Sequence, residues 1–164
     1  MPLDWDWEAW DRIEVPSCWN TEQESLHYFE GTGLYTRTFR YLKAKADERV
    51  FIRFEGVQYQ CSVFINGLHV GTHNGGSTPF CAEVGQLLHE DNRIIVAVDA
   101  CRNNGRVPME NTDWFNYGGI YRDVQLIRTP AIFIKDWFLR LSKDGDSIDA
   151  DIYLSDESAR PYSF

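Results

Sequence analysis

The stretch Val63-Phe64-Ile65-Asn66-Gly67-Leu68-His69-Val70-Gly71-Thr72 sets an Asn-Gly pair between two alternating runs. A two-residue type I′ turn needs positive φ at both central residues, which asparagine and glycine adopt most readily, so the stretch predicts a β-hairpin. Working outward, period-two alternation predicts strands at Leu34 to Tyr41, Arg49 to Glu55, Gln60 to Asn66, Leu68 to Thr72, Arg93 to Asp99, Tyr121 to Arg128, Ile132 to Leu141 and Ile148 to Leu154. Gly75-Gly76 and Pro79 mark a loop, with Thr78-Pro79-Phe80 leading into a strand, and Gly85 to Glu90 is expected to make one helical turn, the only helix. Many short strands with frequent turns give an all-β chain, a sandwich or jelly roll.

Bulk properties narrow the classes of function. A chain of 164 residues with 43% apolar and 15% aromatic residues can bury a core. The net charge of −9, with its Lys and Arg scattered, argues against nucleic acid or an anionic membrane as partner. The start, Met1-Pro2-Leu3-Asp4-Trp5-Asp6, has neither the basic head nor the apolar run of an export signal. Cys18, Cys61, Cys81 and Cys101 are far apart with no Cys-x-x-Cys pair, which fits reduced thiols and a cytoplasmic location rather than zinc or redox chemistry. His69 and His73 lie four apart, but on a strand running into a turn rather than on a helix, so no metal site is expected there.

A second stretch points to carbohydrate. In Asp113-Trp114-Phe115-Asn116-Tyr117-Gly118-Gly119-Ile120-Tyr121-Arg122-Asp123 a carboxylate stands beside aromatics ahead of a glycine turn that returns to a strand. Sugars offer C–H faces to aromatic rings and hydroxyl edges to carboxylates and amides, so Asp113, Asn116 and Tyr117 are candidate sugar contacts. From residue type alone Asp113 could equally cap its loop by accepting backbone N–H groups near Trp114 and Phe115. Trp114 is expected in a core or a domain interface, Arg122 and Asp123 in a structural ion pair, and Trp5, Trp7 and Trp10 in a core.

These pieces, in this order, resemble glycoside hydrolase family 2, which holds the β-galactosidases, β-glucuronidases and β-mannosidases. The matching residues are Asn66-Gly67, Val70-Gly71, His73-Asn74-Gly75-Gly76-Ser77-Thr78-Pro79-Phe80 and Gly118-Gly119-Ile120-Tyr121-Arg122-Asp123-Val124. Val15 to Asn20, Gly33 to Phe39 and Phe54 to Val57 extend the resemblance over about residues 10 to 130. It implies a jelly-roll-like, galactose-binding-domain-like β-sandwich over residues 1–129. Beyond Thr129-Pro130, residues 130–164 are expected to form a linker and the first strands of an immunoglobulin-like domain. Family members begin with a Leu-x-Gly-x-Trp-x-Phe strand that has no counterpart before Trp10; without it a sheet edge is open to pairing with another copy.

A retaining glycosidase needs two carboxyl groups about 5 Å apart. The resemblance places both on a barrel domain, where the acid/base glutamate follows an asparagine, and this chain contains no Asn-Glu pair. No residue here is therefore expected to be catalytic. By position Asp113 matches the family's aspartate that reaches the terminal sugar and, in the β-galactosidase branch, helps hold a sodium ion. The aromatic-Asn-Tyr-x-Gly run leans toward the β-glucuronidase branch. The resemblance implies a terminal β-linked sugar, the barrel of the parent chain and a homo-oligomer as partners. A stand-alone lectin-like module and a purely structural interface domain are the alternatives.

Overall fold

The computed structural model describes residues 5–156. Alternation builds its core. In β2 (Arg49–Phe54) the residues Val50, Ile52 and Phe54 are buried, and in β3 (Gln60–Ile65) so are Cys61, Val63 and Ile65. Together with β1 (Thr32–Arg40), β4 (Leu68–Asn74), β5 (Phe80–Glu83), β6 (Asp91–Asp99) and β7 (Val124–Thr129), they form two antiparallel sheets. One has the order β1-β6-β3-β4, the other β5-β2-β7. Val96 and Val98 join the inward residues of β2 and β3 in one buried cluster, so the sheets face each other as a jelly-roll-like β-sandwich. Each such apolar side chain contributes about 1.5–3 kcal/mol by leaving water.

Among the described residues, the chain crosses between the sheets at every connection from β1 to β7 except the β3–β4 hairpin. That hairpin turns at Asn66 and Gly67, with φ of 51° and 82°, as the Asn-Gly pair predicts. The Asn66 side chain also accepts from Arg93 N–H at 3.0 Å and donates to Leu87 O at 2.8 Å, tying the turn to the start of β6.

Three expectations need correction. Gly85 to Glu90 makes only a hydrogen-bonded turn, closed by Leu87 N–H to Val84 O at 2.8 Å. The α-helix lies elsewhere, as α1 (Trp19–Glu22) followed by a 3₁₀ turn at Glu24–Leu26. Of Trp5, Trp7 and Trp10, expected in a core, only Trp7 is buried, at a 3₁₀ turn over Trp7–Ala9; Trp10 is half-buried and Trp5 is 42% exposed. The three rings cluster, with centroids 4.8 to 5.9 Å apart, and Trp7 is buried with the Arg93 guanidinium 5.3 Å above its ring.

After β7 the chain turns into β8 (Ile134–Leu141) and β9 (Ile148–Leu154), which among the described residues pair only with each other. Phe133 touches the sandwich, edge-on to Phe51 at 5.5 Å and under the Arg49 guanidinium at 5.3 Å.

Candidate functional site

Pairing of Thr32 with Asp99 brings the start of β1 beside the end of β6, so the segment before β1 and the long connection of residues 100–123 leave from one corner. Backbone bonds join them: Ser17 N–H to Ile120 O at 2.9 Å, Trp19 N–H to Gly118 O at 3.1 Å and Ala100 N–H to Gly31 O at 3.0 Å. The indole of Trp19 lies so close beneath Gly118 that a Cβ there would sit 2.1 Å from a ring carbon. Gly119 has φ of +132°, open to glycine at little cost.

Arginines tie down the long connection. Arg106 donates to Asp99 Oδ2 at 2.8 Å, Gln60 Oε1 at 2.7 Å and Cys101 O at 2.8 Å. Its hydrogen bond holds the Asp99 carboxyl down at about 2. Arg102 grips both oxygens of Glu30, at 2.9 and 3.0 Å, and donates to Thr112 O at 2.9 Å. Through that carbonyl it positions the residue next to Asp113.

Between these segments lies a groove of about 320 Å³. His27, Tyr28 and Glu30 line one side, Asp113, Trp114 and Phe115 the other, with Asn20, Arg102 and Asn116 also in the lining. Asp113 is exposed, and none of the hydrogen bonds or ion pairs among the described residues engages its carboxylate, so it does not cap its own loop. The candidate contacts separate here. Asn116 is 3% exposed, and its Nδ2 donates to Ala100 O at 2.6 Å, which turns it inward as a brace for the loop. Tyr117 is 49% exposed, but stands outside the groove lining with its ring 4.6 Å from Phe115. Trp114 is 66% exposed and so is not a core residue of this domain. Tyr28, 83% exposed, and Phe115 continue an aromatic rim, their centroids 6.2 Å apart.

Residues outside the groove serve the scaffold. Arg122 forms no ion pair with Asp123; its guanidinium reaches the carbonyls of Ser77 and Glu55 at 3.3 and 3.5 Å and lies over Tyr121, while the Asp123 backbone carbonyl accepts from Glu55 N–H. His73 stacks on Phe80 of the opposite sheet at 4.4 Å and meets the Thr78 hydroxyl of the Gly75-Gly76 loop at 3.1 Å. His69 likewise meets the Thr72 hydroxyl at 3.1 Å. A larger cleft of about 480 Å³ runs past Asn66, Asn92 and Arg93, whose polar groups are bonded to one another and to the adjoining turn. Burial pushes the Cys61 thiol up to about 11, and raises that of Cys18 with help from the charge of Glu22, so neither is poised as a nucleophile.

The functional residues that sequence reasoning left without a role are Asn20, Glu30 and Arg102. Only Asn20 carried a signal, within the Val15 to Asn20 stretch.

Comparison with known proteins fits a groove of this chemistry on a β-sandwich. The family model of glycosyl hydrolases family 2, sugar binding domain, matches residues 2–130, and the chain belongs to that family. It is 30% identical to a β-galactosidase of Priestia megaterium over 93% of this chain, and 35% identical to a β-glucuronidase of Bacteroides fragilis over 72% of it. A solved β-glucuronidase of an uncultured Clostridium sp. superimposes with a TM-score of 0.80, at 30% identity over 89% of this chain. The chain spans 17% and 18% of the two curated relatives and 28% of the solved one.

Proposed function

We propose that this domain shapes the substrate entrance of a β-glycosidase, with Asp113 reaching the terminal β-linked sugar while the parent chain's barrel supplies the chemistry. The observation that carries this reading is the uncommitted Asp113 carboxylate on the groove wall, surrounded by polar groups that are tied to the protein. A carboxylate accepts two sugar hydroxyls, and the aromatic rim of Tyr28, Trp114 and Phe115 suits the C–H faces of a glycoside. Asn116 contributes by holding the loop through Ala100. The names of the relatives leave two substrate classes, β-galactosides and β-glucuronides. Oligomer contacts belong to the same reading, through the edges at β1, β4, β5 and β7, which no further strand covers among the described residues. A sodium ion would find the Asp113 carboxylate here, but among the described residues no three His, Cys, Asp or Glu converge on a metal. No step is assigned to the ion.

The test is Asp113→Ala in the full-length gene product, assayed with p-nitrophenyl β-D-galactopyranoside and p-nitrophenyl β-D-glucuronide. Loss of a charge-assisted contact of about 1.5–3 kcal/mol lowers kcat/KM by about 10- to 150-fold at unchanged Tm. An unchanged kcat/KM on a cleaved substrate overturns the contact and leaves Asp113 structural. Titration of the 164-residue chain with the same sugars addresses the lectin-like alternative, which fails if tryptophan fluorescence and amide spectra do not move.

A further inference from the structure

We infer that Asn20 is the positioning residue of the groove, holding both walls at a fixed separation so that Asp113 meets the sugar. This rests on the Asp113 reading above. Asn20 is the second residue of α1 and is 2% exposed. Its Oδ1 accepts from Gly118 N–H at 2.8 Å, which anchors the end of the loop that begins at Asp113. Its Nδ2 donates to Leu26 O, His27 O and Phe29 O at 3.0, 3.1 and 3.1 Å, the turn that carries His27 and Tyr28 on the other wall. An amide has two N–H hydrogens, so three carbonyls share them and no donor is left over for a ligand. The backbone carbonyl of Asn20 further meets His27 Nδ1 at 3.2 Å.

No other side chain in the groove touches the backbone of both walls in this way. Arg102 reaches the Glu30 side chain and Thr112 O, and Asn116 reaches only Ala100. Asn20 is also required for its shape. An oxygen must face Gly118 while a nitrogen faces the turn, and only an amide of this length offers both. Asp113 and Asn20 touch no common group, so a link between them runs through the intervening loop.

Two measurements on the full-length gene product test this. Hydrogen exchange read by peptide is expected to rise in residues 112–118 and in 26–29 for Asn20→Ala, with the strands of the sandwich unchanged. Asn20→Asp keeps an oxygen for Gly118 and removes the donors, so exchange rises in 26–29 and stays protected in 112–118. Unchanged exchange in both segments for Asn20→Ala overturns the inference. If Asn20→Ala fails to fold, the Asp variant decides it by the same pattern. In kinetics with the two p-nitrophenyl glycosides, Asn20→Ala is expected to raise KM about tenfold with kcat within about threefold. In the double variant with Asp113→Ala, the KM effect is not additive. Full additivity overturns the link to Asp113. If Asp113→Ala alone is silent while exchange in 112–118 rises as expected, the Asp113 reading has failed and the bracing by Asn20 stands.

Discussion

β2 and the β8–β9 hairpin are both written in alternation, yet one is buried and the other is not. In β2, Val50, Ile52 and Phe54 meet the inward residues of a facing sheet. In the hairpin, Trp137, Leu139 and Leu141 pair across to Ile152, Ala150 and Ile148, an apolar face in which Trp137 is 61% exposed. The opposite face mixes Asp136, Arg140, Asp149 and Asp151 with Phe138 and Tyr153, and Arg140 is bonded to Asp151 at 2.5 Å. Alternation therefore assigns each side chain to a face; burial requires a second layer about 10 Å away. An isolated two-stranded hairpin is marginal on its own. We propose that the hairpin is the start of a second sandwich whose other strands cover this face, as the division at residues 129 and 130 implies.

The sharpest way to break that comparison is a matched pair of truncations. Phe54→Ala is expected to cost about 3–5 kcal/mol, and Leu139→Ala to stay within about 0.5 kcal/mol, both read by urea unfolding of the 164-residue chain. Equal losses would mean that the hairpin face is covered within this chain after all.

Next in size is removal of residues 131–164. The sandwich should still unfold in one cooperative transition, destabilised by about 1–2 kcal/mol as Phe133 leaves Phe51 and Arg49. Loss of the transition would show that the hairpin supports the sandwich and that the division at 129 and 130 is misplaced.

The smallest effect separates the regions by pH. Asp99 has its carboxyl lowered from 3.8 to about 2 in the folded chain, first by the Arg106 hydrogen bond. The unfolded chain thus takes up the proton first. Stability from this pair is complete above pH 4 and is lost as pH falls toward 2. With part of the pair in solvent, about 1 kcal/mol is at stake, and Asp99→Asn should flatten that portion of the profile. An unchanged profile between pH 4 and 2 would remove Asp99 from the account.

How much of this was legible follows from the range of the forces involved. The Asn66-Gly67 turn and eight of the nine strands among the described residues rest on local chemistry; seven have bounds shifted by only a few residues and β9 matches at Ile148–Leu154. β5 is four residues long behind Pro79, too short for a period to stand out. α1 has no side-chain cap and no amphipathic repeat, and is held by Trp19 Nε1–H to Phe29 O at 3.2 Å and by Asn20. Nothing local could reveal it. At the site, Asp113 was legible through its place before the glycine turn. The inward turn of Asn116 depends on Ala100, and the bond of Asn20 to Gly118 spans 98 residues, so both follow only from the assembled corner.

The Asn66-Gly67 turn has a bearing on how the protein ages. An asparagine followed by glycine is the dipeptide most prone to deamidate, because the next backbone nitrogen can attack the side-chain carbonyl carbon when both move freely. Here the amide is held at both ends, by Arg93 N–H on its oxygen and by Leu87 O and Asn92 Oδ1 on its nitrogen. The bonds that seat the turn against β6 thus also restrain the amide from that attack, and loss of ammonia from Asn66 is expected to be slower in the folded chain than in the unfolded one.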